Sequence, residues 1–151
     1  MEEVSTNPTN KISAISAISA GQNKSVSSVQ SVCDKPLSAG HQKPICVVES
    51  EKTAVVCSIH FPQCLWLSCG GLQMLKPELL TPLTAYKVIL FPDTDEKGDA
   101  FHLWLSVAQQ AQKLYPFQYP LRVSPLLELH ATPDQKSRKI DLLDYIFEPK
   151  V

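Results

Sequence analysis

The run Lys87-Val88-Ile89-Leu90-Phe91-Pro92-Asp93-Thr94-Asp95-Glu96-Lys97-Gly98 limits the folds open to this chain more than any other stretch. Val88 to Phe91 form an unbroken apolar block too short for a helix, which is how a strand covered on both faces reads. Such strands are parallel and belong to α/β sheets. Asp93 and Asp95 then fall in the loop at the strand's carboxyl end, the edge where open α/β sheets bind ligands. Two neighbouring carboxylates raise each other's pKa, so an apposed pair calls for a cation or a proton between them. Hard oxygen ligands of this kind suit Mg2+ or Mn2+.

The rest of the foldable sequence repeats the pattern. Ile45-Cys46-Val47-Val48 is a second apolar block ending in acid, at Glu49. A helix is expected from Glu51 to His60, with Ser50 as its cap and Glu51 near its positive end. Cys64 to Leu67 reads as the next strand and ends in Ser68-Cys69-Gly70-Gly71, a glycine pair that suits a tight turn or a phosphate-holding loop. Lys76-Pro77-Glu78-Leu79-Leu80 starts a short helix with proline at its first position. Asp99 to Leu114 carries one apolar face at helical spacing, Ala100, Leu103, Trp104, Val107, Ala108, Ala111 and Leu114. Tyr119 to Val123 is a fourth strand near an edge, and Lys139 to Phe147 an amphipathic final helix.

Alternating strands and helices imply a three-layer, Rossmann-like α/β domain with a mainly parallel four-stranded sheet and right-handed crossovers. The strand order 2-1-3-4 is the one that places Glu49 opposite Asp93 and Asp95 at the topological switch. This domain is expected over residues 44–151. Residues 1–43 contain no aromatic residue and repeat Ile-Ser-Ala three times between Ile12 and Ala20, so they are expected to be a low-complexity, disordered segment rather than an amphipathic helix.

A net charge of -1 in 151 residues provides no global field for nucleic acid, so any polynucleotide contact must be local. Arg122, Lys136, Arg138 and Lys139 offer the only modest basic surface. The absence of a long apolar run and the two opening glutamates point away from a membrane or secreted protein and toward a cytoplasmic one. Cys33, Cys46, Cys57, Cys64 and Cys69 are odd in number, have no CxxC pair and read as reduced, buried thiols; Cys33, His41 and Cys46 lack a fourth ligand for zinc. His60, His102 and His130 are dispersed, and Trp66 and Trp104 sit in apolar periodic segments that suit a core.

An acid after strand one, glycines after strand two and Asp-x-Asp-x-x-Gly after strand three together resemble the TOPRIM domain of bacterial primases, type IA and type II topoisomerases and some nucleases. Glu49-Ser50-Glu51-Lys52-Thr53-Ala54 is similar to the first motif of phage and plasmid primases, with Ser50 where glycine is usual. Asp93-Thr94-Asp95-Glu96-Lys97-Gly98 matches the second. Lys139-Ile140-Asp141-Leu142-Leu143-Asp144-Tyr145-Ile146 looks like the Lys-Asp-x-Asp-x-Tyr-Leu segment that follows the domain in bacterial primases, with looser spacing.

The resemblance implies Asp93 and Asp95 as metal ligands and Glu49 as a ligand or general acid/base, with Mg2+ or Mn2+ as cofactor. Lys52, Lys97, Gly70 and Gly71 become candidate phosphate or nucleic-acid contacts. It also implies primase-like nucleotidyl transfer in the replication of a mobile element, with DNA or RNA, nucleotides and a helicase or other replication protein as partners. The flanking zinc-binding, basic and helicase-contacting regions of a replicative primase are not present here, which implies a fragment or a reduced relative.

Rival readings are a nuclease using the same metal, and a noncatalytic nucleic-acid-binding or protein-docking module. A receiver domain would need an acidic pair after strand one and a lysine after strand five, and neither is evident in this chain. A purely structural alternative has Asp93 and Asp95 cap the long helix, although Asp99 already stands at that helix's start.

Overall fold

A computed structural model of the chain describes residues 23–33 and 42–148. In order, these form α1 (Asn23–Cys33), β1 (Ile45–Val48), α2 (Glu51–His60), β2 (Leu65–Ser68), short 3-10 segments at Leu72–Met74 and Pro77–Leu83, and β3 (Val88–Leu90). Then follow α3 (Asp99–Leu114), β4 (Arg122–Val123), α4 (Leu126–His130), α5 (Pro133–Ser137) and α6 (Leu142–Phe147). The protein is α/β: its four strands are all parallel and lie in the order β2-β1-β3-β4. Ile45 pairs with Leu65 on one side and Val88 on the other, and Ile89 with Arg122.

The apolar blocks of β1 and β3 are buried throughout because helices cover both faces of the sheet. Cys46, Val48, Ile89 and Phe91 point to one side, where α2 contributes Ala54 and Cys57, α6 contributes Leu142 and Ile146, and α1 contributes Val29. Ile45, Val47, Val88 and Leu90 point to the other, against Trp104, Val107, Ala108 and Ala111 of α3 and Leu80 of the second 3-10 segment. Trp104 is fully buried and its indole N–H donates to the Leu72 carbonyl at 3.1 Å, so its one polar atom is satisfied. Trp66 is partly buried on the opposite side and donates to the Phe61 carbonyl. Both tryptophans are thus packing residues.

α2 and α3 keep the bounds read from the sequence. Ser50 adopts the extended backbone of a cap and its hydroxyl accepts from the Thr53 N–H at 3.2 Å. Three expectations are corrected. Residues 23–33, placed in the low-complexity segment, form α1, which packs on α6 and buries Val29; the other residues of 1–41 lie outside those described. Serines in α1 lower its intrinsic propensity, and tertiary packing overrides this. The short helix expected after Lys76 does form, as a 3-10 segment that ends just past Pro82. The final helix starts at Leu142, not Lys139, because Asp141 caps it: its carboxylate accepts from the Asp144 N–H at 2.8 Å. Cys64 is disulfide-bonded rather than a reduced thiol.

Cys46, Cys57 and Cys69 are free. Burial pushes the Cys46 and Cys57 thiols up to about 12, which makes them inert packing residues. No helix among the described residues is long and apolar enough to cross a membrane.

Candidate functional site

The parallel register places the ends of β1 and β3 side by side, and Phe91 N–H donates to the Val47 carbonyl at 2.8 Å to continue the pairing. Beyond that point the two chains part. Glu49 crosses the gap: its Oε1 accepts the Asp93 backbone N–H at 3.1 Å, while its own backbone carbonyl accepts from Gly70 at 2.9 Å. Three loops, those after β1, β2 and β3, therefore meet at Glu49, which is itself buried.

The electrostatics of this crevice are unfavourable for negative charge. Burial, the neighbouring Glu49 and then Asp141 and Asp144 push the Asp93 carboxyl up from 3.8 to about 8, with Lys52 opposing them. Burial also raises Glu49; the Asp93 N–H offsets part of this, while Asp141 and Asp95 add to it. The half-buried Cys69 thiol stands close enough to feel both acids: burial raises it, and Glu49 and Asp93 add to that rise. Near neutrality the Glu49–Asp93 pair therefore requires a proton or a cation.

Asp95 has a different role from Asp93. Its Oδ1 accepts from the N–H of Lys97 at 2.9 Å and of Asp99 at 3.0 Å, and its Oδ2 from Ala100 at 2.7 Å. Burial alone would raise its pKa, but the Ala100, Asp99, Lys97 and Gly98 N–H groups outweigh burial and hold it below the ordinary carboxylate range. The Asp99 and Ala100 donors are unsatisfied N–H groups of the first turn of α3. Asp95 thus caps the long helix, the place that sequence reasoning gave to Asp99. Gly98 makes this geometry accessible with a φ of 73°, in the left-handed region that favours glycine.

The remaining predicted contacts are less convergent. Lys97 is exposed, and its backbone, not its ammonium, is engaged at the site. Gly70 and Gly71 form the turn after β2 with φ of 83° and 139°. The nearest atom to a Cβ built on Gly70 is Glu51 Oε1, a negative group that does not favour phosphate there. Ser50, standing where the resemblance puts glycine, has an ordinary φ of -105°, so glycine is not needed for the backbone path. Of the basic surface, Lys136 pairs with Glu128 at 2.8 Å, and Arg138 with Asp134 at 2.9 Å and Glu148 at 2.6 Å.

Sequence reasoning gave no role to Asp141, which the fold brings to the crevice. Its Oδ2 accepts the Thr53 hydroxyl at 2.6 Å across 88 positions and lies 3.5 Å from the Lys52 ammonium. The preceding Ile140 carbonyl accepts the Thr94 N–H at 3.1 Å, which ties the same segment to the Asp93–Asp95 loop. The only signal in the sequence was the Lys139–Ile146 resemblance.

For a divalent cation the fit is divided. Glu49 and Asp93, an acidic pair with raised proton affinity at a sheet switch point, have the chemistry of ligands. Asp95 has less to offer, since Oδ1 accepts two N–H groups and Oδ2 one, which leaves a free acceptor position on Oδ2 alone. Among the described residues no three His, Cys, Asp or Glu side chains are grouped so as to hold a metal ion.

Fold and site together define a doubly wound parallel α/β protein with an acidic crevice at the carboxyl ends of its strands. The chain belongs to the family described as Domain of unknown function (DUF6371), whose sequence profile matches residues 6–94, Glu49 and Asp93 included. No curated protein and no solved structure matches it.

Proposed function

We propose that the protein is a TOPRIM-type domain that binds Mg2+ or Mn2+ and takes part in primase-like nucleotidyl transfer during the DNA replication of a mobile element. The observation that supports this reading is the Glu49–Asp93 pair, a buried and a half-buried acid that repel each other at the switch between β1 and β3. Glu49 and Asp93 would hold the cation. Bound there, it would neutralise phosphate oxygens and lower the pKa of an attacking hydroxyl. Asp95 supports the site indirectly by fixing the start of α3 and hence the loop that carries Asp93. DNA or RNA, nucleotides and a helicase or other replication protein are the partners consistent with the motif resemblance.

A second reading has a specific observation in its favour. Because Asp95 gives three of its acceptor positions to N–H groups at the start of α3, the crevice offers fewer free carboxylate positions than the motif implies, which favours a noncatalytic nucleic-acid-binding or protein-docking module. Thermal unfolding of the full chain with and without millimolar Mg2+ or Mn2+, beside Asp93→Asn, tests the shared premise. Metal at one hundred times its dissociation constant should add about 2.7 kcal/mol to the parent and little to the variant. Equal responses would remove the premise. Where the parent alone responds, templated primer synthesis marks the transferase, release of nucleotides from labelled DNA marks a nuclease, and neither marks the docking module.

A further inference from the structure

We infer that the outer edge of β2 is a dimer interface, where a second copy of this chain pairs its own β2 antiparallel across a two-fold axis at Leu67. Strand β2 borders the sheet. The Leu65 N–H donates to the Pro44 carbonyl at 2.9 Å and the Cys69 N–H to the Val48 carbonyl at 3.1 Å. Backbone groups alternate in direction along a strand, so Leu65, Leu67 and Cys69 turn theirs to β1 while Trp66 and Ser68 turn theirs outward. Among the described residues nothing pairs with those outward N–H and C=O groups. Open edges of this kind invite another strand, and proteins blunt them with charge, proline or brevity. The opposite edge is blunted in all three ways: β4 has two residues, one of them the exposed Arg122, and Pro120 and Pro125 stand on either side. Leu-Trp-Leu-Ser in β2 carries neither charge nor proline. Its Leu65 and Leu67 are 46% and 42% exposed on one face of the strand. Val55 and Ile59 of α2, which packs on β2, and Met74 in the segment that follows are exposed apolar residues as well.

The strand is complementary to itself. Antiparallel pairing of Trp66 with Ser68 of the second copy makes two hydrogen bonds, and the two-fold axis repeats them, so every outward N–H and C=O of both residues is satisfied. Leu67 then meets Leu67 of the second copy on the axis, at the closer spacing of a non-hydrogen-bonded pair. Parallel pairing of identical edges would not close on itself. An uncharged strand offers nothing to a charged partner, and a net charge of -1 per chain opposes self-association little. The dimer joins two sheets into one of eight strands with the acidic crevices at opposite ends. It also steadies β2, whose following loop holds Glu49 through the Gly70 N–H.

Sedimentation equilibrium of the full chain over a range of concentrations is the test, with amide hydrogen exchange beside it. The parent should show a reversible monomer–dimer equilibrium. As the dimer fills, exchange at the Trp66 and Ser68 amides should slow, while that at Leu67, whose N–H faces β1, should not change. Leu67→Lys and Leu67→Glu should each sediment as a monomer, since like charges would meet on the axis. An equimolar mixture of the two should regain the dimer, because residue 67 stands opposite only its own counterpart. Leu129→Lys, at an exposed leucine of α4 beyond the opposite edge, should dimerise as the parent does. A parent that stays monomeric overturns the inference: if both amides are already protected, another part of this chain covers the edge, and if they are not, the edge is left to a different protein. Parental dimerisation by Leu67→Lys, a mixture that stays monomeric, loss of the dimer in Leu129→Lys, or a dimer in which the Trp66 and Ser68 amides do not respond would each overturn it as well.

Discussion

Replacing Asp93 by Asn, in metal-free buffer, should stabilise the protein by an amount that grows with pH. The folded state holds the Asp93 carboxyl at about 8 and its ordinary value is 3.8. Below the lower value both folded and unfolded chains carry the proton, and Asn, which resembles the protonated acid in shape and charge, offers no electrostatic advantage. Between the two values the unfolded chain gives up its proton while the folded chain keeps it, so the folded state binds more protons and the parent loses stability as pH rises. Above about 8 the difference levels off.

Each pH unit in that window is worth about 1.4 kcal/mol, so the full span sets an upper limit on the order of 6 kcal/mol. Glu49 titrates with Asp93 as a pair, which spreads the effect and brings the observed gain below that limit. The geometric change is small, because Glu49 accepts the backbone N–H of residue 93, which Asn retains. Urea denaturation of parent and variant at pH 4, 6, 7.5 and 9 measures the difference and cancels the titration of groups not coupled to Asp93. Even 1 kcal/mol would appear as a melting shift of about 4 °C in a chain of this size. A difference that stays flat across this range, or a parent that gains on the variant as pH rises, would refute the burial and repulsion assigned to the crevice.

Asp95→Ala should show the opposite pH dependence. Its depressed pKa means that its contribution is present above the ordinary carboxylate pKa and lost as pH falls through the folded value; loss of this cap should cost about 1 kcal/mol at neutral pH, read by urea denaturation, and little in strong acid. Gly98→Ala should cost about 1–3 kcal/mol for a left-handed backbone without glycine, since φ is 73° and the new Cβ would stand 3.1 Å from Glu128 Oε1. Adding Glu128→Ala should relieve the contact but not the backbone strain, so a fully restored melting temperature would contradict the assignment.

The chain's own periodicities determined much of this protein. The apolar blocks ending at Val48 and Phe91 could only be strands covered on both faces, and Ser50 and the spacing from Asp99 to Leu114 mark α2 and α3 at their observed bounds. Even the strand order followed, because only 2-1-3-4 sets Glu49 beside the loop after β3. These are local signals, carried within a turn of helix or a few strand residues, and they survive folding unchanged.

Only the tertiary structure decided how the acids divide their work. Asp93 and Asp95 look alike in Asp-x-Asp, yet one faces Glu49 across the switch while the other turns to the N–H groups of α3. A carboxylate's partner depends on which donors lie within hydrogen-bond reach, and those donors are placed by Gly98 and the direction of α3. Likewise α1 owes its helix to packing on α6, and Asp141 reaches Thr53 only because the final segment returns across the sheet edge. Sequence specifies which residues can carry charge at the crevice; the convergence of distant segments settles which of those charges are left without a backbone partner.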